Sequence, residues 1–598
     1  MNTVNTSLKP TVFLYEEDDA RAFLKDRPSV GKIVTLTPNA RAVLLAAGIE
    51  ATPSSHVFTD RHHRQITARI RRADRQLCAM FKKPEIQLGE AAKETLRHDM
   101  CMVAMTALRL WMTLGANGPY LIPGPEGWST FENRIEAYKA FRSHLISEPY
   151  EYRDMIKPPQ FPGLVRVLNR GIARMLQGRN FVLVTAYQYG LRSLAGILDK
   201  NKFAPLQLKA SRNTKGDFLH PLRAFFRAII GLPEQTLIAA VSTSPTSNVV
   251  ASKALDGVAD PVIRLWLDLV GDRLSAEAGY TDSVVKEFKE LIERLNPQGL
   301  IGHTFRWSDE AALAEAAGAK GVPRMLISHG SHDVQTEPFA AEVTGKHARG
   351  LLFSPLSDTA LAQSPHAEKL LQKQTIKPDI IRSKPVLWGY KSLPSIKHEN
   401  RPRRILHAGT YKSLFYGARP MMYETSDEYI DGLAALIRAV DGMNNTELVI
   451  RVRPAPECSI PTLHALLPKS ENCRIKTDGS FLDDLATSDM LVSFSSTTIE
   501  EAIYANRPVL QWGGSTRYHH IEPSTTLPTP SNRAAIYAVN QPSQLGAMIE
   551  AVLSAHVDGE LTEHEKQDHC WGDNMPAHEA VLDWLKSDLL NSHVNHSN

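Results

Sequence analysis

MLVSFSSTTIEEAIYANRPVLQWG, residues 490–513, reads as strand, turn, helix, strand. Two apolar runs bracket a hydroxyl cluster, Ser495-Ser496-Thr497-Thr498, which opens a helix-forming stretch. A helix start leaves its first amides without partners, so hydroxyls placed there converge with those amides on one point and make a seat for an anion such as phosphate. Glu501, near the first turn, is placed to accept hydrogen bonds from sugar hydroxyls, and Pro508 opens the next strand where no ladder amide is lost. The plainer alternative is a βαβ unit whose Ser and Thr only cap the helix.

Around this segment lies a chain of 598 residues, too long for one core, so two or three domains are expected. With 43% hydrophobic and 22% charged residues and a formal net charge of +3, charge alone gives no argument for a nucleic-acid partner. The five cysteines, Cys78, Cys101, Cys458, Cys473 and Cys570, form no CxxC pair and show no zinc-ligand spacing, which suits a reducing cytoplasm. No basic leader followed by an apolar run opens the chain, and no apolar run approaches a membrane span. A cytoplasmic protein is therefore expected, meeting a membrane only from its surface.

Upstream, TVFLY from Thr11 and KIVTL from Lys32 predict buried strands, the second leading into a helix that ends at Gly48. Residues 64–147 carry apolar side chains at three- and four-residue intervals with no convincing strand, which predicts a helical insertion over about 60–150. Strand-like runs return at 181–185, 237–241, 299–305, 324–328 and 350–353, most followed by helical stretches, an alternation that implies a parallel sheet. A Lys-, Pro- and Ser-rich segment, 382–403, reads as a linker, after which strands at 404–407, 447–452, 474–477, 490–495 and 509–512 alternate with helices. The expectation is an α/β protein of two Rossmann-like domains, 1–390 with the helical insertion and 400–575, followed by a helix and tail over 576–598.

Ligands of doubly wound sheets bind beyond the carboxyl ends of the strands, so four strand exits matter. At His407-Ala408-Gly409-Thr410-Tyr411-Lys412, the glycine lets backbone approach a diphosphate and Lys412 offers charge, unless the segment is a plain turn. LVIRVRP ends with Arg451 and Arg453 on one side of the pleat before Pro454, placed either for anion binding or for pairing with Asp478 or Asp489. After GLIGHTF, Ser308 or Asp309 is a candidate helix cap; alternatively Asp309 or Glu310 stands at the interdomain cleft as a base or as a nucleophile toward an anomeric carbon. At Ser328-His329-Gly330-Ser331-His332, His329 is a candidate acid–base group, with a buried structural histidine as the alternative. Marks of P-loop NTPases, dinucleotide oxidoreductases and α/β-hydrolases are missing, and Asp483-Asp484 reads as solvated helix surface rather than a metal pair, so no metal and no cofactor beyond the donor are expected. The segment 61–83, RHHRQITARIRRADRQLCAMFKK, spaces Ile66, Ile70, Leu77 and Phe81 along one helix face. It fits a basic face packed on the core or a contact with the cytoplasmic face of an anionic membrane.

The SSTTIEEA…RPVL segment, the His-Gly after a mid-chain strand and the cation-Pro exit resemble bacterial GT-B glycosyltransferases of surface-polysaccharide (capsule and lipopolysaccharide) assembly, over roughly 300–512. The likeness extends to the CMP-Kdo and CMP-sialic acid transferases, with a Ser-Ser/Thr phosphate motif, although Arg453-Pro454 stands where those enzymes carry His-Pro. It implies a metal-independent transferase with a CMP-linked donor on the C-terminal domain at Gly409, Thr410, Lys412, Arg451, Arg453, Ser495, Ser496, Thr497 and Glu501. Catalysis would rest on His329, Asp309 and Glu310, and the acceptor would be a glycan or a lipid-linked glycan. The same features fit a UDP-sugar 2-epimerase, a polyol-phosphate transferase, or a non-catalytic assembly factor of this fold.

Overall fold

The computed structural model describes residues 9–57, 59–147, 167, 170–171, 180–185, 191–210, 235–239, 245–333, 335–388, 393, 401–409, 424–453, 458–557 and 560–595. Among these the strands form three sheets. The first takes β1 (Thr11–Leu14), β2 (Lys32–Thr35), β3 (Thr52–Pro53), β4 (Tyr120–Gly124) and β5 (Gly127–Phe131), in the order β3-β2-β1-β4-β5. The second takes β6 (Asn180–Val184), β7 (Phe203–Ala210), β8 (Gln235–Ala239), β9 (Gly299–Gly302), β10 (Arg324–Ile327), β11 (Thr359–Ala362) and β12 (Asp379–Arg382), in the order β12-β11-β10-β9-β6-β7-β8. The third takes β13 (Arg403–Gly409), β14 (Thr446–Val452), β15 (Cys473–Lys476), β16 (Met490–Ser493), β17 (Val509–Gln511) and β18 (Ile536–Ala538), in the order β15-β14-β13-β16-β17-β18. Counted from its own first strand, the third sheet runs 3-2-1-4-5-6, the doubly wound order, and the second repeats it with a seventh strand. Every pairing in these two sheets is parallel. The α/β class with two Rossmann-like sheets, expected from the alternation, is thus the observed one.

Strands β9, β11 and β16 are buried at every residue, as parallel strands covered on both faces must be. Helix starts follow local chemistry. Asp260 accepts from the Val262 and Ile263 amides ahead of the helix Pro261–Leu295, Ser364 accepts from Ala367, and Thr425 forms a reciprocal box with Glu428. The C-terminal helix, His578–Asn595, returns to the second sheet, packing Val581, Trp584 and Leu585 with Val182, Ile301 and Leu361.

Three sequence expectations are corrected. The region 64–147 is not all helix: β4 and β5 complete a separate first sheet with β1–β3, so the strands expected in one N-terminal sheet divide between two. The signal was weak because β4 follows Gly118-Pro119, which reads as loop, while β5 is an edge strand with no buried residue. Residues 350–353 form a turn with an isolated Arg349–Phe353 bridge, and the strand is β11. Leu352 and Phe353 are apolar because they fill a small core of their own beneath β11. Residue 382 ends β12 rather than opening a linker, and Val386 and Leu387 beyond it are buried against the C-terminal helix.

The helix Asp60–Met80 buries Ile66, Ile70 and Leu77, and two of its cations are paired within the molecule, Arg64 2.7 Å from Glu337 and Arg69 2.6 Å from Asp260, while Arg61, Arg72 and Arg75 are exposed. Among the described residues no helix is long and apolar enough to cross a membrane.

Candidate functional site

On the third sheet, the exits of β13, β16 and β17 surround a small cavity lined by His407, Gly409, Tyr429, Ser495, Trp512 and Gly513. His407 is buried, and that burial holds its imidazole down to about 4, so it is neutral at physiological pH. Its Nδ1 has no hydrogen-bond partner among the described residues. Glu424, in the cavity wall, accepts from the Gly514 amide at 2.6 Å. The four hydroxyls do not converge as a set. Ser495 faces the cavity, Ser496 Oγ accepts from the Thr498 amide at 3.3 Å, and Ser493 and Thr498 pair their hydroxyls at 3.2 Å. Thr497 stands at the cap of the short helix Thr498–Tyr504 without a side-chain cap bond.

The same loop touches the second sheet. A Cβ placed on Gly330, in the exit of β10, would lie 3.2 Å from both Thr497 Cγ2 and Glu500 Oε1, so any side chain here would have to push these two side chains back by a few tenths of an ångström. Glu500 Oε1 accepts from the Ser331 amide at 2.5 Å and lies 2.8 Å from His520 Nε2. Tyr518 OH bridges His520 Nδ1 at 2.9 Å and His332 Nδ1 at 3.0 Å. One polarity satisfies the whole chain: His520 donates from Nε2 to Glu500, Tyr518 donates to His520 Nδ1, and His332 donates to the Tyr518 oxygen. Beside it, the Asp333 amide bonds to the His520 carbonyl at 2.9 Å, Asp333 Oδ2 accepts from the Glu522 amide at 3.0 Å, and His366 lies 3.4 Å from Asp333 Oδ1.

Two adjacent glutamates are driven apart. Burial alone would raise Glu500, but His520 and the Ser331 amide overcome it and hold the carboxyl below its usual range. Burial, helped by the charge on Glu500, pushes Glu501 up to about 8, so one carboxyl is ionised and its neighbour protonated at neutral pH.

His329 follows β10, its amide bonded to the Leu351 carbonyl at 3.0 Å, and its ring centre is 6.4 Å from that of His303 at the exit of the neighbouring β9. His303 shares a 3.1 Å bond with Thr185, and burial together with His329 holds it down to about 4. Asp309 and Glu310 occupy the first turn of the helix Ser308–Ala319, both half-buried. Neither capping expectation holds: Trp307 is the cap residue, and the Ser308 hydroxyl binds Glu277.

Arg451 is engaged within its own sheet. Its guanidinium pairs with Asp484 and donates to the Asp478 and Gly479 carbonyls at 2.9 Å, while Arg453 is exposed. Asp484 is correspondingly not solvated surface, because Lys476 holds its other oxygen at 2.7 Å. Thr410 and Lys412 lie outside the described residues. The structure therefore gathers Gly409 and Ser495 at one cavity and brings Thr497 to Gly330. Glu500, His520 and Tyr518 were not singled out, and His332 and His407 were read only as neighbours of His329 and Gly409. The exit of β17, with its Gly513-Gly514 pair and His519-His520, carried the same strand-end signal as the four exits that were read.

No protein-family model matches the chain. No curated protein matches it. Among solved structures it is similar to S. aureus MnaA with UDP, at 13% identity and TM-score 0.41 over 69% of this chain and 97% of that one. It is also similar to the UDP-GlcNAc 2-epimerase of Neisseria meningitidis bound to UDP-GlcNAc, at 12% identity and TM-score 0.38 over 68% and 98%. UGT2 of Phytolacca americana, complexed with UDP-2-fluoro-glucose and pterostilbene, is similar at 11% identity and TM-score 0.37 over 68% and 99%. The fold itself stands on the strand orders of the second and third sheets.

Proposed function

We propose that the chain is a GT-B-type glycosyltransferase that moves a sugar from a nucleotide-activated donor to a glycan acceptor of surface-polysaccharide assembly. The observation that carries this reading is the contact of Gly330 with Thr497 and Glu500, where two doubly wound sheets meet by their carboxyl edges. In this reading Gly409 and Ser495–Thr497 hold the donor phosphate, with protonated Glu501 beside them to donate a hydrogen bond. His329 and Asp309, leaving adjacent strands of the second sheet, then serve the acceptor side as base or nucleophile. The finer reading, a CMP-linked ulosonic acid donor and a capsule or lipopolysaccharide acceptor, rests on the Ser-Ser-Thr and His-Gly motifs. Divalent ions are not required, since Asp484 of the Asp483-Asp484 pair is committed to Arg451 and Lys476.

A thermal-shift panel of CMP, UDP, GDP and CDP-glycerol tests the donor, because a ligand that binds only the folded chain raises its melting temperature. CMP is expected to give the largest shift. Calorimetry of the Ser496→Ala, Thr497→Ala double variant should then show nucleotide binding weaker by roughly 1–3 kcal/mol, and unchanged affinity removes the site. Epimerised UDP-sugar formed without acceptor would replace transfer by 2-epimerisation, and activity lost in EDTA and restored by Mg²⁺ would overturn metal independence.

A further inference from the structure

The helix Asp60–Met80 begins where the second and third sheets meet. Asp60 lies 3.1 Å from Arg517, on the loop that carries Tyr518 and His520, and Arg64 lies 2.7 Å from Glu337, at the start of the helix Pro338–Ala348. At 1.5 Å per residue the helix then runs about 30 Å away from that contact. Its buried residues recur on one side, so its exposed ones recur on the other: Arg61, Arg64, Arg71, Arg72 and Arg75 form a row, which exposed Lys82 and Lys83 continue past the helix end. Every Asp, Glu, Lys and Arg between Asp60 and Glu85 has been matched against its neighbours. Arg517 takes Asp60, Arg97 and Lys346 take Asp74, Asp260 takes Arg69, and Glu337 takes Arg64. Arg71 lies 3.9 Å from Glu342, which Lys346 shares at 3.5 Å. Arg61, Arg72, Arg75, Lys82 and Lys83 make no ion pair among the described residues, and Glu85, beside the last two, is the one carboxylate of the segment in the same position.

Five exposed cations against one exposed carboxylate, set in a line, attract a polyanion, and binding is favoured further by the counterions that both release. A lipid surface is the poorer fit. No large apolar side chain between residues 60 and 85 is exposed, because the helix turns Ile66, Ile70 and Leu77 to the core, so it lacks the apolar face with which an interfacial helix enters a bilayer. A row one helix face wide, with one end at the contact between two sheets, suits a linear chain whose tip lies at that contact. We propose that this row binds a linear acidic glycan, the growing acceptor of the transfer reading on which this inference rests, with its charged groups along Arg61, Arg72, Arg75, Lys82 and Lys83 and its end directed to the sheet contact.

The test is fluorescence anisotropy on the full chain with an end-labelled oligogalacturonate long enough to span the row, and with labelled dextran as the neutral control. Saturable binding of the acidic oligomer alone is expected, weaker in about 150 mM than in about 10 mM salt as screening grows. The triple variant Arg72→Gln, Arg75→Gln, Lys82→Gln removes exposed side chains without ion pairs, so it should keep the parent's melting temperature and bind about 10-fold or more weakly. Arg72→Lys with Arg75→Lys keeps the charge and should keep the affinity. Absence of saturable binding, or equal affinity in parent and triple variant, overturns the inference. So does binding to phosphatidylglycerol vesicles that the triple variant loses while the oligomer binds neither protein, since the row would then meet a lipid surface. The nucleotide-induced rise in melting temperature separates this result from the transfer reading. A rise without glycan binding sinks the row alone, whereas glycan binding that the triple variant loses, with no rise from any nucleotide, sinks the transfer reading and leaves the row a glycan-binding surface.

Discussion

Glu500 and Glu501 stand next to each other in sequence yet face different surroundings, and their separation has a measurable consequence. Glu501 is raised from 4.5 to about 8, so its contribution to stability is complete below about pH 4.5 and is lost as pH rises through 8. The ceiling on that loss is ~5 kcal/mol, and hydration of a half-buried group reduces it to about 2–3 kcal/mol. Glu501→Gln has no such slope. Melting curves of the two proteins should agree near pH 5 and diverge toward pH 9, with the variant the more stable; parallel curves would show that Glu501 is solvated. Arg451 makes the opposite kind of prediction. Removing its guanidinium leaves the half-buried Asp484 with Lys476 alone, so Arg451→Ala should lower stability by about 1–3 kcal/mol and leave nucleotide affinity unchanged. A loss of affinity at constant melting temperature would return Arg451 to the binding site. The turn after β16 and the glycine at the exit of β10 were legible in the sequence because turn residues act locally, whereas the expected convergence of the hydroxyls was not met. The partner of Arg451 was not, because Asp484 reaches it across a strand and a helix start, and no spacing along the chain encodes that meeting.

At the scale of elements, the loop after β17 decides how the third sheet presents its edge. Gly432 and Gly514 let this loop lie against the backbone of the helix Ser426–Asp441, and Trp512 Nε1 fixes it by donating to the Gly432 carbonyl at 2.9 Å. A Cβ on Gly514 would stand 1.9 Å from the Glu428 carbonyl oxygen, a position backbone cannot yield cheaply. Gly514→Ala is therefore expected to cost more than about 3 kcal/mol by displacing the loop that carries Tyr518 and His520. Thermal unfolding checks it, and a melting temperature equal to the parent's would show that the loop moves freely. Long periodic elements of this kind were readable: the doubly wound alternation from β13 onward follows from apolar runs and capping residues alone. The first sheet was not, since two of its five strands lack alternation and borrow their order from neighbours distant in sequence.

In the whole molecule, the third sheet is held from two sides. The first sheet's exits reach it through Asn39, whose Oδ1 accepts from the Ser459 amide at 3.3 Å and the Thr462 hydroxyl at 2.5 Å, and through Arg41, 3.6 Å from buried Asp427. The second sheet reaches it through the chain from His332 to Glu500, and through Tyr504 OH and Trp571 Nε1, which donate to the Gln363 and Ala362 carbonyls at 3.1 and 3.0 Å. Glu500 is the carboxylate at the centre of that second contact, near Asp333, with two donors depending on a single oxygen. Truncating it leaves the Ser331 amide and His520 buried without their acceptor, so Glu500→Ala should weaken the contact by about 3–5 kcal/mol. The loss falls between sheets rather than inside one. The expected result in scanning calorimetry is a lower first transition, separated from a second that keeps the parent's temperature. Because Glu500 is held below 4.5, its contribution is present above that pH and lost as pH falls through its lowered value, so acid should produce the same separation in the parent. A single unshifted transition in Glu500→Ala would mean that packing around Tyr518 and Phe494, not the carboxylate, joins the two sheets.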